Sequence, residues 1–115
     1  MNSLQYIKYH GNVVFKEKTK LRSRLTYILA TGTVESYDDV LKQALGTSYQ
    51  AVRKHLESQF VGNMNWDNYG TEWEVDHIVP LRTAKTIEEV HQLFYYMNLQ
   101  PLPPIKNRPG GPFKV

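Results

Sequence analysis

The sequence predicts an α+β fold, with an N-terminal helical segment leading into a small core that contains two short strands. Three observations predict it. Leu21, Leu25, Ile28 and Leu29 recur at i, i+4, i+7 and i+8, which is one face of a helix. Ser48 and Thr86 stand at capping positions before further periodic stretches. Trp73 to Ile78 and Asn98 to Leu102 instead alternate in the manner of strands.

In chain order, residues 1–18 read as an irregular basic arm, with short strand character in Asn12-Val13-Val14-Phe15. The first helix is predicted from Thr19 to Ala30 and stopped by Thr31-Gly32. Lys18, Lys20, Arg22 and Arg24 lie off its apolar face, where they meet solvent or a polyanion such as DNA. A second helix is predicted from about Tyr37 to Leu45, with Ser36 as N-cap, Val40, Leu41, Ala44 and Leu45 buried, and Gly46 as the stop. Ser48 caps a third, about Tyr49 to Phe60, with Val52, Leu56 and Phe60 inward. The Leu45-Gly46-Thr47-Ser48 junction fits a helix-turn-helix or a plain helical hairpin equally well.

Gly62 to Gly70 is rich in Gly, Asn and Asp and reads as a loop anchored by Met64, Trp66 and Tyr69. The first strand follows. Thr86-Ile87-Glu88-Glu89 is a capping box that opens a helix to about Tyr95. After the second strand, Pro103-Pro104 and Pro109-Gly110-Gly111 leave room for one brief helical turn through Asn107. No internal repeat or linker divides the chain. Residues 1–62 form a basic arm with helices that would contact DNA, and residues 63–115 form the core, together one compact unit.

Composition narrows the function classes. A length of 115 residues with 41% hydrophobic content suits one core. The absence of cysteine excludes disulfides, thiol nucleophiles, iron–sulfur clusters and cysteine-based zinc sites. No apolar run is long enough to span a bilayer, and the start lacks the order of a signal peptide, so a soluble cytoplasmic protein without a membrane partner is expected. The net charge of +3 is uneven: residues 1–62 carry nine Lys/Arg against five Asp/Glu, whereas residues 63–115 carry five against six. Basic and near-neutral halves together suggest a grip on a polyanion beside a site that holds cations.

The chemistry concentrates at Asp76-His77. Phosphodiester hydrolysis requires a water to lose a proton and developing charge to be stabilised; a divalent cation can do the second. Mg2+ takes oxygen ligands and keeps several waters, so one carboxylate with an amide oxygen suffices. An unliganded histidine serves as the base. Strand neighbours point to opposite faces, so both groups reach one phosphate only if the strand bends at its end, where Pro80 stands. Glu74 shares a face with Asp76 and reads as an exposed carboxylate or an accessory ligand. His10, His55 and His91 read as surface or packing histidines, and Trp66 and Trp73 as core aromatics. A zinc site from Asp76, His77 and His91 has no defensible spacing.

Trp73-Glu74-Val75-Asp76-His77-Ile78-Val79-Pro80-Leu81, then Asn98-Leu99-Gln100-Pro101-Leu102, then Asn107, resembles the HNH endonuclease family, most closely its small phage members, some of them homing endonucleases. The likeness covers about residues 45–107. It implies a ββα-metal core and a metal-dependent DNA endonuclease that nicks or cuts duplex DNA, leaving 5′-phosphate and 3′-hydroxyl ends. Position by position, it implies Asp76 and Asn107 as metal ligands and His77 as the general base. Asn98, also placed in the catalytic set, would hold by backbone hydrogen bonds the loop that orients His77, and Lys106 or Arg108 would meet phosphates. It implies one divalent ion, Mg2+ first and Mn2+ or another next, and a monomer or weak dimer acting inside a cell, with a phage-encoded protein in a bacterial host as one setting. Arg108-Pro109-Gly110-Gly111 breaks the helix that the family continues after Asn107, which favours as alternative a non-catalytic DNA-binding module of the same fold, such as a packaging or replication accessory.

Overall fold

A computed structural model describes residues 3–33 and 39–104, with side chains from residue 13 onward. Four α-helices and two strands are seen among them: α1 (Ser3–Thr31), α2 (Asp39–Leu45), α3 (Tyr49–Glu57), β1 (Glu74–His77), α4 (Ile87–Leu93) and β2 (Leu99–Leu102). Single 3-10 turns stand at Trp66–Asn68, Leu81–Thr83 and Tyr96–Asn98. The α+β class is therefore as expected.

The N-terminal arm is not. Residues 3–18, expected to be irregular with a strand at Asn12 to Phe15, belong to α1. Val14 is buried and extends the Leu21–Leu25–Ile28 stripe by two helical turns, so the apolar pair Val13-Val14 is read with helical rather than strand period. Once that stripe nucleates a helix, propagation is favourable, and no proline interrupts residues 3–31. The expected N-cap Ser36 and the start at Tyr37 lie outside the described residues.

The caps behave as residue chemistry dictates. Ser48 accepts a hydrogen bond from the Ala51 N–H (3.1 Å), and Thr86 Oγ1 accepts one from the Glu89 N–H (3.1 Å). Gly46 ends α2 with φ 75°, and its N–H donates to the Lys42 carbonyl (3.1 Å). The α2–α3 hairpin turns Leu41, Leu45, Val52 and Leu56 into one core with Leu21, Leu25, Ile28 and Leu29 of α1 and with Val90, Phe94 and Leu99. A helical hairpin packed in this way describes α2 and α3. Beside it, Phe60, Trp66, Tyr69 and the fully buried Trp73 form an aromatic cluster. The Trp73 indole N–H donates to the Asn65 carbonyl (2.6 Å), so its one polar atom is satisfied.

β1 and β2 pair antiparallel in the register Glu74↔Leu102, Val75↔Pro101, Asp76↔Gln100 and His77↔Leu99. The segment between them carries α4, which packs on α1 and is tied to it by the hydrogen bond between His91 and Glu17. Thus the long helix and the strand pair share one body, with the end of β1 facing the flank of α1.

Candidate functional site at the end of β1

β1 ends at His77, and its carboxyl end is pinned from both sides of the backbone. The Ile78 N–H donates to the Asn98 carbonyl (2.8 Å). The Asn98 side chain then takes Val79 at both ends: its Oδ1 accepts from the Val79 N–H (2.8 Å) and its Nδ2 donates to the Val79 carbonyl (3.2 Å). The same Nδ2 donates to the Leu93 carbonyl at the end of α4 (2.8 Å). A side-chain amide suits this position because it alone offers an acceptor and two donors in one plane. Asn98 thereby fixes the peptide that leaves His77.

His77 is half-buried, with its ring edge-on to Phe94 at 4.8 Å between centroids. Its Nε2 is buried and has no hydrogen-bond partner among the described residues. Burial, chiefly, and the Arg22 guanidinium push its pKa down to about 4 against the opposing pull of Asp76, so the ring is neutral at neutral pH. A buried ring nitrogen without a partner is costly, which sets His77 apart from Trp73, whose indole N–H is satisfied.

Two adjoining cavities, of about 270 and 540 Å3, share Arg22, Glu74, Val75 and His77. The larger also borders Asp76, Ile78, Pro80 and Arg82. Asp76 and His77, adjacent in the chain, therefore border one cleft at the strand end, together with Glu74. The Gln100 amide, opposite Asp76 in the register, donates to Asp76 Oδ2 (3.2 Å) and orients it. Glu74 is exposed. Among the described residues, no three His, Asp or Glu side chains converge as a ready-made metal cage.

Lys18, Lys20, Arg22 and Arg24 of α1 divide between two flanks. At about 100° per residue, Lys18 and Arg22 share one side of the apolar stripe, and Lys20 and Arg24 the other. Arg22 reaches the cleft. Lys20 is instead paired with Glu17 (2.7 Å). Burial pushes the Glu17 carboxyl up, but hydrogen bonds from Lys20 and His91 outweigh it and leave the carboxyl below its ordinary range. Of the four, helical geometry brings Arg22 to the lining of the cleft. Asn107, Lys106 and Arg108 lie outside the described residues, as does the side chain of His10.

Other residues came into view only with the structure. Arg82, on the turn after β1, borders the cleft with no ion-pair or hydrogen-bond partner among the described residues. His55, expected on the surface, is half-buried: its Nε2 lies 3.0 Å from the Leu99 carbonyl, which Gln59 also reaches (3.3 Å). Leu99 stands opposite His77, so α3 ties down the start of β2 beside the site. His91, expected to do no more than pack, holds Glu17 across 74 residues of sequence.

No family model matches the chain, and no solved structure matches it. The chain is similar to two proteins of Acanthamoeba polyphaga mimivirus. It is 33% identical over 102 residues to the uncharacterized protein L426, spanning 87% of this chain and 44% of that protein. It is 34% identical over 90 residues to the uncharacterized protein L246, spanning 76% of this chain and 38% of that protein. The chain thus spans less than half the length of these curated relatives. No helix among the described residues is long and apolar enough to cross a membrane.

Proposed function

We propose that this chain is a metal-dependent DNA endonuclease of the HNH type, in which β1 and β2 are the two strands of a ββα-metal core and His77 is the general base. The observation that carries the reading is the state of His77: a neutral ring with an unpartnered buried Nε2, beside Asp76 in a cleft, on a backbone clamped by Asn98. A neutral imidazole can take a proton from a water that attacks phosphorus. The clamp keeps its aim from drifting, which matters because a misplacement of about 1 Å costs about 100-fold in rate.

Asp76 and Glu74 supply hard oxygen donors beside the cleft, the ligand type that Mg2+ or Mn2+ accepts with only one or two protein carboxylates. Asn107 is the further ligand that the resemblance implies. When bound, such an ion would neutralise charge on the phosphate and on the leaving oxygen. Arg22 and Arg82 come from two different elements and offer forked donors for phosphate oxygens. Burial is the main cause of the low His77 pKa, and a phosphate beside Arg22 would offset only the smaller contribution of that guanidinium. The remaining basic residues of α1, with Lys106 and Arg108, would add salt-sensitive backbone contacts to duplex DNA. A monomer acting through one such cleft would nick one strand at a time.

The test is incubation of supercoiled plasmid with the protein in Mg2+, in Mn2+ and in EDTA, beside the His77→Ala variant. Nicking that needs the metal and vanishes in the variant is expected. Binding without any cleavage would sink the enzyme reading and make the chain a non-catalytic DNA-binding module.

A further inference from the structure

One flank of α1 carries an exposed aromatic ring in line with the cleft. Phe15 is 65% exposed, although Val14 beside it is buried and the helix has a core to pack against. At helical spacing, Phe15, Lys18, Thr19, Arg22 and Thr26 fall on the same side of α1. The row ends in the smaller cavity, whose lining includes Arg22, Thr26 and His77. The described residues of this row carry no carboxylate, and neither Lys18 nor Arg22 has an ion-pair or hydrogen-bond partner among the described residues. Lys20 on the other flank is by contrast neutralised by Glu17. Two unpaired cations and an open ring, aligned on a cleft, complement a polyanion that also has flat apolar faces to offer.

We infer that this flank is a track for an unpaired strand of the substrate, with Arg22 and Lys18 on successive backbone phosphates and Phe15 stacked on an unpaired base. The inference rests on the nuclease reading of the cleft and narrows its substrate to DNA with single-stranded nucleotides next to the cut, such as a fork, flap or loop. Geometry favours an unpaired strand over an intact duplex. Phe15 stands about 10 Å along the helix axis from Arg22, close to the rise of three stacked nucleotides at about 3.4 Å each. A duplex keeps the faces of its bases stacked inside, so a ring level with the backbone meets a base face only where pairing is lost. Rows of cations interleaved with aromatic rings bind single strands in this way.

The test is fluorescence anisotropy in EDTA with three labelled probes: an oligothymidylate, a blunt duplex, and a duplex with splayed arms. The wild-type protein is expected to prefer the oligothymidylate and the splayed duplex. Phe15→Ala should weaken both by at least about fivefold while leaving the blunt duplex unchanged, and Phe15→Trp should restore binding. Lys18→Ala should lower the slope of log affinity against log salt for the oligothymidylate by about 0.7. Phe15 is exposed, so its truncation leaves the core intact, and circular dichroism of the variant checks this. Equal loss on single strand and duplex, no loss on either, or no wild-type preference would each overturn the track. The two readings fail separately: wild-type strand preference without any Mg2+-dependent cleavage would remove the nuclease and leave the track, and cleavage without preference would do the reverse.

Discussion

Replacing Asn98 with alanine removes three hydrogen bonds at once, and their surroundings set the cost. The two bonds to Val79 lie at the surface, where water replaces them, so each contributes about 0.5 kcal/mol. The bond to the Leu93 carbonyl is partly buried, and its loss strands an acceptor at the end of α4, at about 1–2 kcal/mol. Asn98→Ala is therefore expected to cost about 2–3 kcal/mol in urea unfolding. At about 4 °C per kcal/mol for a domain of this size, that is a fall in Tm of about 10 °C. Asn98→Asp keeps the acceptor for the Val79 N–H but turns a carboxylate oxygen toward the Val79 and Leu93 carbonyls, so it should be less stable than the alanine variant. A loss under about 0.5 kcal/mol for alanine, or an aspartate variant more stable than alanine, would refute the clamp.

Other expectations concern separate parts of the molecule. The His77 pKa is about 4 in the folded protein against an ordinary 6.5, so the unfolded chain binds more protons between those values. Stability of the metal-free protein should then be level above about pH 6.5 and fall by up to about 3 kcal/mol as the pH drops toward 4; His77→Gln should lack this component in urea titrations at stepped pH. Gly46→Ala places a Cβ 2.9 Å from the Tyr95 ring at a φ of 75°; the ring is exposed and can yield, so a loss of about 1–2 kcal/mol is expected from chemical denaturation. Trp73→Phe removes the donor to the Asn65 carbonyl and part of a fully buried indole, and should cost about 2–3 kcal/mol by thermal melting. Glu17→Gln breaks the ion pair with Lys20 and weakens the hydrogen bond with His91, and should lower Tm at neutral pH by a few degrees, an effect that shrinks in acid as the Glu17 carboxylate is protonated.

What could be read in advance was local. The Leu21–Leu25–Ile28–Leu29 stripe, the Ser48 and Thr86 caps and the Gly46 stop all rest on residues within one or two turns of each other. Both strands were visible because alternation and turn residues bound them tightly. The N-terminal half of α1 was misread because its polar composition hides that Val14 continues a stripe whose strongest members come later. Contacts between distant segments left no local mark. Nothing in residues 14–30 indicates that Arg22, rather than Lys20 or Arg24, lines the cavity that His77 also borders; only the helix phase relative to β1 decides it. The same holds for Glu17 with His91 and for His55 on the Leu99 carbonyl. Arg82, two residues after Pro80, carries no periodic signal, and only its proximity to Asp76-His77 in the chain marks it.

A divalent ion and the His77 imidazole are proposed to cleave a phosphodiester together in the cleft at the end of β1. Single-turnover cleavage of end-labelled DNA in Mg2+ tests it most directly, with wild type, His77→Ala and Asp76→Ala compared at matched folded fractions. Expected are cleavage that EDTA abolishes, a loss of at least about 100-fold for His77→Ala, and an Asp76→Ala variant that recovers in part as Mg2+ is raised. Cleavage by His77→Ala at the wild-type rate, or wild-type cleavage that persists in EDTA, would contradict it.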